Sequence, residues 1–245
     1  MPRRVLHDPF FKQAKAEGYL ARSAYKLTQI QESKSIIHKG DWVLDLGCAP
    51  GAWMQVAGGI VGPTGVVVGI DLQEVPHRFP PCPPGAAMLA LQGDVYQTPG
   101  SVLVGAAGGL AGGIAGGIAG RRDRFDVVLS DMAPNTTGHG DHERSIQLCE
   151  RVVELLPDLL RRGGHCAIKV FEGGEYPRFL KELSKLFAQA KGYKPEASRA
   201  VSREMYVVAT GYRGGSDGKP GPAAAASDGL PRRVPGGTPG LTRGS

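Results

Sequence analysis

Cysteine is scarce in this 245-residue chain, and its four copies, at positions 48, 82, 149 and 166, form no C-x-x-C pair. That scatter excludes a disulfide framework and a zinc ribbon, and it suits a reducing compartment. Long apolar runs are missing as well. The N-terminus, M-P-R-R, lacks the apolar stretch that a secretory signal needs and is expected to be too short for an intact transit peptide, which leaves open one that has been trimmed away. The nearest approach to a membrane segment is residues 104–120, a repeated Gly-Gly-Leu/Ile-Ala unit. At about 17 residues dominated by glycine it is too short and too weakly apolar to span a bilayer, and it reads as a flexible loop insertion.

What is abundant is glycine and proline, 37 and 19 residues, too many for one globular core unless they are localised. They concentrate in the Pro-rich segment 75–85, in the Gly/Ala insertion 104–120 and in a tail, 213–245, expected to be disordered. Charge is localised too. Residues 1–40 carry eight Lys or Arg against three Asp or Glu, whereas residues 41–212 carry 16 against 18. A near-neutral core, 41–212, with a basic helical arm, 1–40, suits a polyanionic partner on the arm; a solvated basic helix is the plainer explanation of charge alone.

Within the core, short apolar runs alternate with helical patterns, which implies an α/β domain built on a parallel sheet. Strands are expected at Trp42–Leu46, Val66–Ile70, Met88–Gln92, Phe125–Ser130, His165–Phe171 and Met205–Thr210. Cys149, Val152, Val153, Leu156 and Leu160 share one helical face, in a helix that Pro157 should kink. Ser23 is placed to cap another helix, with Lys26 in its first turn.

The first strand runs into D-L-G-C-A-P-G-A-W, residues 45–53. Gly47 and Gly51 let a ligand approach the backbone of this turn closely, but no third glycine completes G-x-G-x-x-G, which argues against a dinucleotide oxidoreductase. Asp45 would disfavour a pyrophosphate and favour a ligand bearing an ammonium or sulfonium. Asp71 ends the second strand, where a carboxylate can accept two ribose hydroxyls, and Asp94 follows the third, within reach of an adenine edge. One acid at a strand end is as often a cap or loop carboxylate; three on consecutive strands beside a glycine turn read as an adenosyl site.

Strand four ends in L-S-D-M-A-P-N (129–135) and strand five contains I-K-V-F-E (168–172), so Asp131 and Lys169 should project toward the switch point of the sheet. A lysine within an apolar strand must be paired or put to use. Methylating a ribose hydroxyl requires in-line alignment and a group to take the proton; a lysine beside a second cation serves, with a carboxylate to orient it. Lys26 and Glu204 are further candidates that spacing alone does not select.

The segments D-P-F-F-K-Q-A-K (8–15), A-R-S-A-Y-K-L (21–27), D-L-G-C-A-P-G-A-W (45–53), S-D-M-A-P-N (130–135), I-K-V-F (168–171) and K-P-E-A-S-R-A-V-S-R-E-M-Y-V-V-A-T (194–210) together resemble the RlmE/FtsJ-like ribosomal RNA 2′-O-methyltransferases over roughly residues 8–212. The resemblance implies a Rossmann-like S-adenosylmethionine-dependent methyltransferase fold, a seven-stranded, mostly parallel sheet with helices on both faces and its last strand antiparallel. It places the family's Lys-Asp-Lys-Glu tetrad on Lys26, Asp131, Lys169 and Glu204, with Lys169 as proton acceptor. Cofactor contacts fall on Gly51, Trp53, Asp71, Asp94 and Asp131; without the resemblance, Trp53 reads as core. The implied substrate is a uridine in the A-loop of large-subunit ribosomal RNA, free or in a preribosomal particle, acted on by a monomer. The branch that includes the mitochondrial enzymes looks nearest, which implies a mitochondrial, or else cytoplasmic, setting. Transfer RNA as acceptor and a non-catalytic role in ribosome assembly stay open. Cys48 and Met54 depart from the smaller or polar residues frequent in relatives, a matter of packing.

His139 and His142 flank Asp141 in a Gly-rich loop without a clear third ligand and are expected in solvent, not on a metal, which the proposed chemistry does not need. Cys149 and Cys166 fit core positions.

Overall fold

The computed structural model describes residues 9–75, 85–114, 122–134, 141–198 and 202–214. Most of the Pro-rich segment, the end of the Gly/Ala repeat, Cys82, His139 and the tail beyond residue 214 lie outside the described residues.

Two helices, α1 (Pro9–Glu17) and α2 (Ala24–Lys34), precede a sheet of β1 (Trp42–Leu46), β2 (Val66–Asp71), β3 (Ala87–Gln92), β4 (Phe125–Ser130), β5 (Leu160–Phe171), β6 (Phe187–Tyr193) and β7 (Glu204–Tyr212). The order is β3-β2-β1-β4-β5-β7-β6. The strands from β3 to β5 pair in parallel, while β7 runs antiparallel to β5 and β6. Central β1 and β4 are buried along their whole length, hence their unbroken apolar runs.

Period-2 alternation divides the core. Val43, Val67, Leu129, Ala167 and Tyr206 pack under α2 and α3 (Ala52–Val61). Leu44, Val68, Val128, Ile168 and Val207 pack under α4 (Gly100–Gly112), α5 (Asp141–Leu159) and α6 (Tyr176–Leu186). Asp45, Lys169 and Glu204 have the parity of the first face, so their side chains share the side of the sheet that α2 covers. At the opposite, amino end, the buried Asp126 carboxylate accepts the Trp42 N–H at 2.7 Å and pairs with Arg122 and Arg161.

Three local expectations need revision, at residues 104–112, at Ser23 and at Leu160. Residues 104–112, read as flexible loop, continue α4: Leu103, Ala107 and Ala111, spaced by four, bury one face while the glycines fall on the other. Ser23 makes no side-chain cap; its carbonyl accepts the Lys26 N–H at 3.0 Å. Helix α5 runs through Pro157 and ends two residues later, so the proline sits in its last turn. Strand β5 begins at Leu160, a residue expected in the helix, and pairs there with Phe125 before an irregularity in the ladder. Strand β6 has no apolar alternation and only Phe187 is buried, because it lies at the edge of the sheet.

Gly108 and Gly109 lie on the exposed side of α4, and a Cβ at either position would meet nothing within 4 Å. Replacing both with Ala is expected to stabilise the protein by about 1–2 kcal/mol in urea denaturation, since each Gly→Ala change in an exposed helix interior contributes roughly 0.5–1 kcal/mol. An unchanged midpoint would mean that this stretch is not helical in solution.

Candidate active site

The site lies at the carboxyl ends of β1, β2 and β4, where strand order reverses. The turn after β1 uses Gly47 (φ 78°) and Gly51 (φ 108°), the latter capping α3. Gly47 also permits a close approach, because a Cβ there would lie 2.6 Å from Cγ of Met132. Beside this turn opens a cleft of about 430 Å³ lined by Gly47, Asp71, Leu72, Asp94, Tyr96 and Asp131, among others. Two backbone amides orient the Asp71 carboxylate, Ala49 N–H onto Oδ2 and Gln73 N–H onto Oδ1, each at 2.9 Å. Asp94 accepts the Tyr96 N–H at 2.9 Å, an Asx turn that holds the loop against the cleft. Leu72, 69% exposed, and Tyr96 supply apolar wall next to these acids. Such a cleft, a few polar groups in an otherwise apolar lining, suits a nucleoside-sized ligand.

Asp45 is the anomaly. It is fully buried, and neither carboxylate oxygen has a hydrogen-bond partner. Burial, and then the charges of Asp131 and Asp71, push its carboxyl well above the usual carboxylate range. An unsatisfied buried carboxyl between two other acids is costly in the free protein, and a cationic ligand nearby would relieve it.

The four tetrad positions come together as two ion pairs. Lys26 Nζ lies 2.7 Å from Oε1 and 2.8 Å from Oε2 of Glu204, whose Oε1 also accepts the Ser198 hydroxyl at 2.8 Å. Lys169 Nζ lies 3.0 Å from Oδ1 of Asp131 and also donates to the Asp131 carbonyl. Tyr206, which sequence reasoning did not single out, joins the pairs. Its hydroxyl donates to Asp131 Oδ1 at 2.7 Å and lies 3.4 Å from Glu204 Oε1. Burial and these two carboxylates raise its pKa well above that of an ordinary phenol, so it remains a donor. The signal was available: Tyr206 follows Glu204 by two and therefore shares its face of the strand.

The structure brings Asp71, Asp94 and Asp131 to the cleft, but not the side chain of Trp53. That indole is buried, packs at a tilt against Tyr206 with ring centroids 5.6 Å apart and donates to the Ser23 carbonyl at 2.8 Å, anchoring the helix that carries Lys26. Gly51 shapes the turn and is likewise outside the cleft lining. The basic arm is docked: Ala14 packs with Tyr25 and Ala197, and the buried Gln55 side chain bonds the Gly18 carbonyl and the Leu20 N–H. His142, expected in solvent, instead has a buried Nδ1 and accepts the Glu175 N–H through Nε2 at 3.2 Å. Among the described residues no group of three His, Cys, Asp or Glu side chains could hold a metal ion, and no helix is long and apolar enough to cross a membrane.

The state of Asp45 has a measurable consequence. An unfolded-chain aspartate ionises near about pH 4, whereas the native carboxyl keeps its proton above that. Its contribution to stability is therefore full below about pH 4 and is lost as pH rises toward the raised native value. Asp45→Asn should match the wild type in urea unfolding near pH 4 and gain a growing advantage toward pH 8. A pH-independent difference would show that Asp45 is ionised in the free protein.

Comparison with known proteins bears on this arrangement. A family model of FtsJ-like methyltransferases matches residues 19–212. A protein from Syntrophobacter fumaroxidans named ribosomal RNA large subunit methyltransferase E is 43% identical over 206 residues, 83% of this chain and 95% of the relative. One of the same name from Methanothrix thermoacetophila is 39% identical over 203 residues, 82% of this chain and 71% of the relative. A crystal structure of a ribosomal RNA methyltransferase from Plasmodium falciparum, 23% identical, covers 80% of this chain and 100% of its own with a TM-score of 0.60, a likeness of fold. The matched region contains the cleft, both ion pairs and every strand of the sheet, and the chain accordingly belongs to the FtsJ-like methyltransferase family.

Proposed function

We propose that the protein methylates a ribose 2′-hydroxyl of ribosomal RNA using S-adenosylmethionine, with a uridine in the A-loop of the large subunit as acceptor. The observation that carries this reading is Lys169: an ammonium in an apolar strand, held by Asp131 at the edge of a nucleoside-sized cleft and backed by the Lys26–Glu204 pair through Tyr206. The names of the relatives support ribosomal RNA as substrate.

The residues present fit the cofactor. Asp71 would accept the ribose hydroxyls, Asp94 would face the adenine, and Gly51 and Trp53 would contribute through the main chain at the start of α3. The buried, unpartnered Asp45 and the nearby Asp131 favour a ligand whose other end is cationic. When bound, S-adenosylmethionine supplies a methyl carbon made electrophilic by the attached sulfonium. The chain's own task is to align the acceptor hydroxyl and take its proton. Lys169, in its unprotonated form, would take the proton of the acceptor hydroxyl at Nζ. Asp131 orients Nζ and stabilises the ammonium that results. Lys26 and Glu204, fixed to Tyr206, would hold that side of the acceptor site. The exposed α1 lysines, Lys12 and Lys15, would contact phosphates and orient the RNA without reading its sequence.

Lys169→Met is expected to slow methyl transfer to undermethylated large-subunit RNA by about 10²–10⁴-fold while retaining S-adenosylmethionine affinity, the range for loss of a positioned proton acceptor. Wild-type activity would overturn the mechanism, methyl groups found in transfer RNA instead would overturn the substrate, and ribosome assembly restored by the inactive variant would favour an assembly role. A second test addresses the arm. Replacing Lys12 and Lys15 with Ala should weaken RNA binding and make its log–log salt dependence shallower by about 1.4–1.8, since each phosphate contact contributes roughly 0.7–0.9. Unchanged slopes would remove α1 from the RNA interface.

A further inference from the structure

The ladder between β4 and β5 ends at the pair Ser130–Ile168, yet β5 continues for three residues, beginning with Lys169. Over that stretch β7 still pairs with one edge, and just past it the Glu172 N–H reaches the Arg203 carbonyl at 2.7 Å. The other edge has lost its strand. There α5 supplies the missing partners through side chains: the Cys149 thiol donates to the Lys169 carbonyl at 3.1 Å, the Ser145 hydroxyl accepts the Phe171 N–H at 3.2 Å, and His142 Nε2 accepts the Glu175 N–H at 3.2 Å.

Residues 142, 145 and 149 are spaced by three and four, so they form one stripe on α5. The inward face of this helix is otherwise apolar, with Ile146, Val152, Leu156 and Leu159 in the core. Ser145 and Cys149 place polar atoms on this face opposite bare backbone of β5, as the demand for partners at buried peptide groups requires, and His142 extends the stripe to the exposed Glu175 N–H in the loop beyond the strand. The fit is close at the far end. A Cβ on Gly173 would lie 2.5–2.7 Å from three imidazole atoms of His142, so a larger residue there would displace the ring or the loop. Nε2 of His142 is the acceptor in this contact, whereas its buried Nδ1 has no hydrogen-bond partner. Burial raises the Cys149 thiol to about 12, and it stays a donor.

We propose that His142, Ser145 and Cys149 are positioning residues for the reaction: the stripe stands in for β4 along the end of β5 and thereby sets where Lys169 and the loop 172–175 sit beside the acceptor ribose. None of the three reaches the reacting atoms; they act through the backbone that carries Lys169. This inference rests on the reading of Lys169 as proton acceptor.

The test uses the full chain, S-adenosylmethionine and undermethylated large-subunit RNA. His142→Leu and Ser145→Ala should each slow single-turnover methyl transfer by about 10–100-fold, the scale of a misplacement of about 1 Å. Cofactor affinity and KM for RNA should stay within about twofold, and His142→Gln, whose Oε1 can replace Nε2 as acceptor, should recover most of the rate. In the folded variants, amide exchange should quicken at Glu175 for His142→Leu and at Phe171 for Ser145→Ala, which reports on the proposed contacts independently of turnover. Wild-type rates in both variants, or a His142→Gln variant as slow as His142→Leu, would overturn the proposal. If Lys169→Met is inactive while the stripe variants are fully active, only this inference fails. If Lys169→Met is itself active, the reading beneath it fails.

Discussion

Two ammonium groups and two carboxylates lie nearly out of reach of water at one end of the sheet, with side-chain exposures of 8–18%. Removing such an ion from water costs several kcal/mol even after the protein relaxes, so each persists only with its counter-ion and with its remaining hydrogen bonds made. That condition explains much of the surrounding architecture. Ser198 and Tyr206 complete the shell of Glu204, and Tyr206 also serves Asp131. Trp53 holds α2 by the Ser23 carbonyl, which keeps Lys26 over Glu204. A tryptophan that motif similarity assigns to a ligand is thus, by its side chain, a strut for an ion pair.

Asp45 breaks the same condition a few residues away. Its carboxyl is buried as deeply as any residue in the protein and has no partner, and it answers by holding its proton. Paired acids at Asp131 and Glu204 and an unpaired one at Asp45 therefore divide the site into a part complete in the free protein and a part that becomes satisfied with a cation beside it. The tetrad is preorganised. The surroundings of Asp45 are not.

Much of this was legible in the sequence, for identifiable reasons. Strands β1 and β4 stood out because buried parallel strands are continuous apolar runs, and their ends placed Asp45 and Asp131. Lys169 was conspicuous as a charge within such a run. Lys26 and Glu204 were not legible from spacing, because their pairing joins residues 178 positions apart through tertiary structure; only likeness to the family selected them. Tyr206 escaped because a tyrosine in an apolar strand looks like core, and it is core except for one oxygen. Helix α4 was misread because its repeat drew attention to composition, while its burial depends on three small or aliphatic residues spaced by four. His142 was misread because its hydrogen bond is to one backbone amide, that of Glu175 in a distant loop, which leaves no mark in the sequence beyond Gly173.

The direction of one strand decides whether these parts can meet. Active sites of open parallel sheets gather at the carboxyl ends of the strands, so a parallel strand can deliver only its last residues. Strand β7 runs the other way, and its first residues reach that end: Glu204 lies opposite Phe171, and Tyr206 opposite Lys169. Had β7 been parallel, Glu204 and Tyr206 would have been left at the amino end, and Lys26 and Asp131 would have lacked their buried partners. The reversal also places β7 against β5 where β4 has already stopped, so that the last residues of β5 are held by a strand on one edge and by a helix on the other. Lys169 is then held through three attachments, its backbone by β7 on one edge and by α5 on the other and its Nζ by Asp131, so neither its strand position nor its side chain is left to one contact.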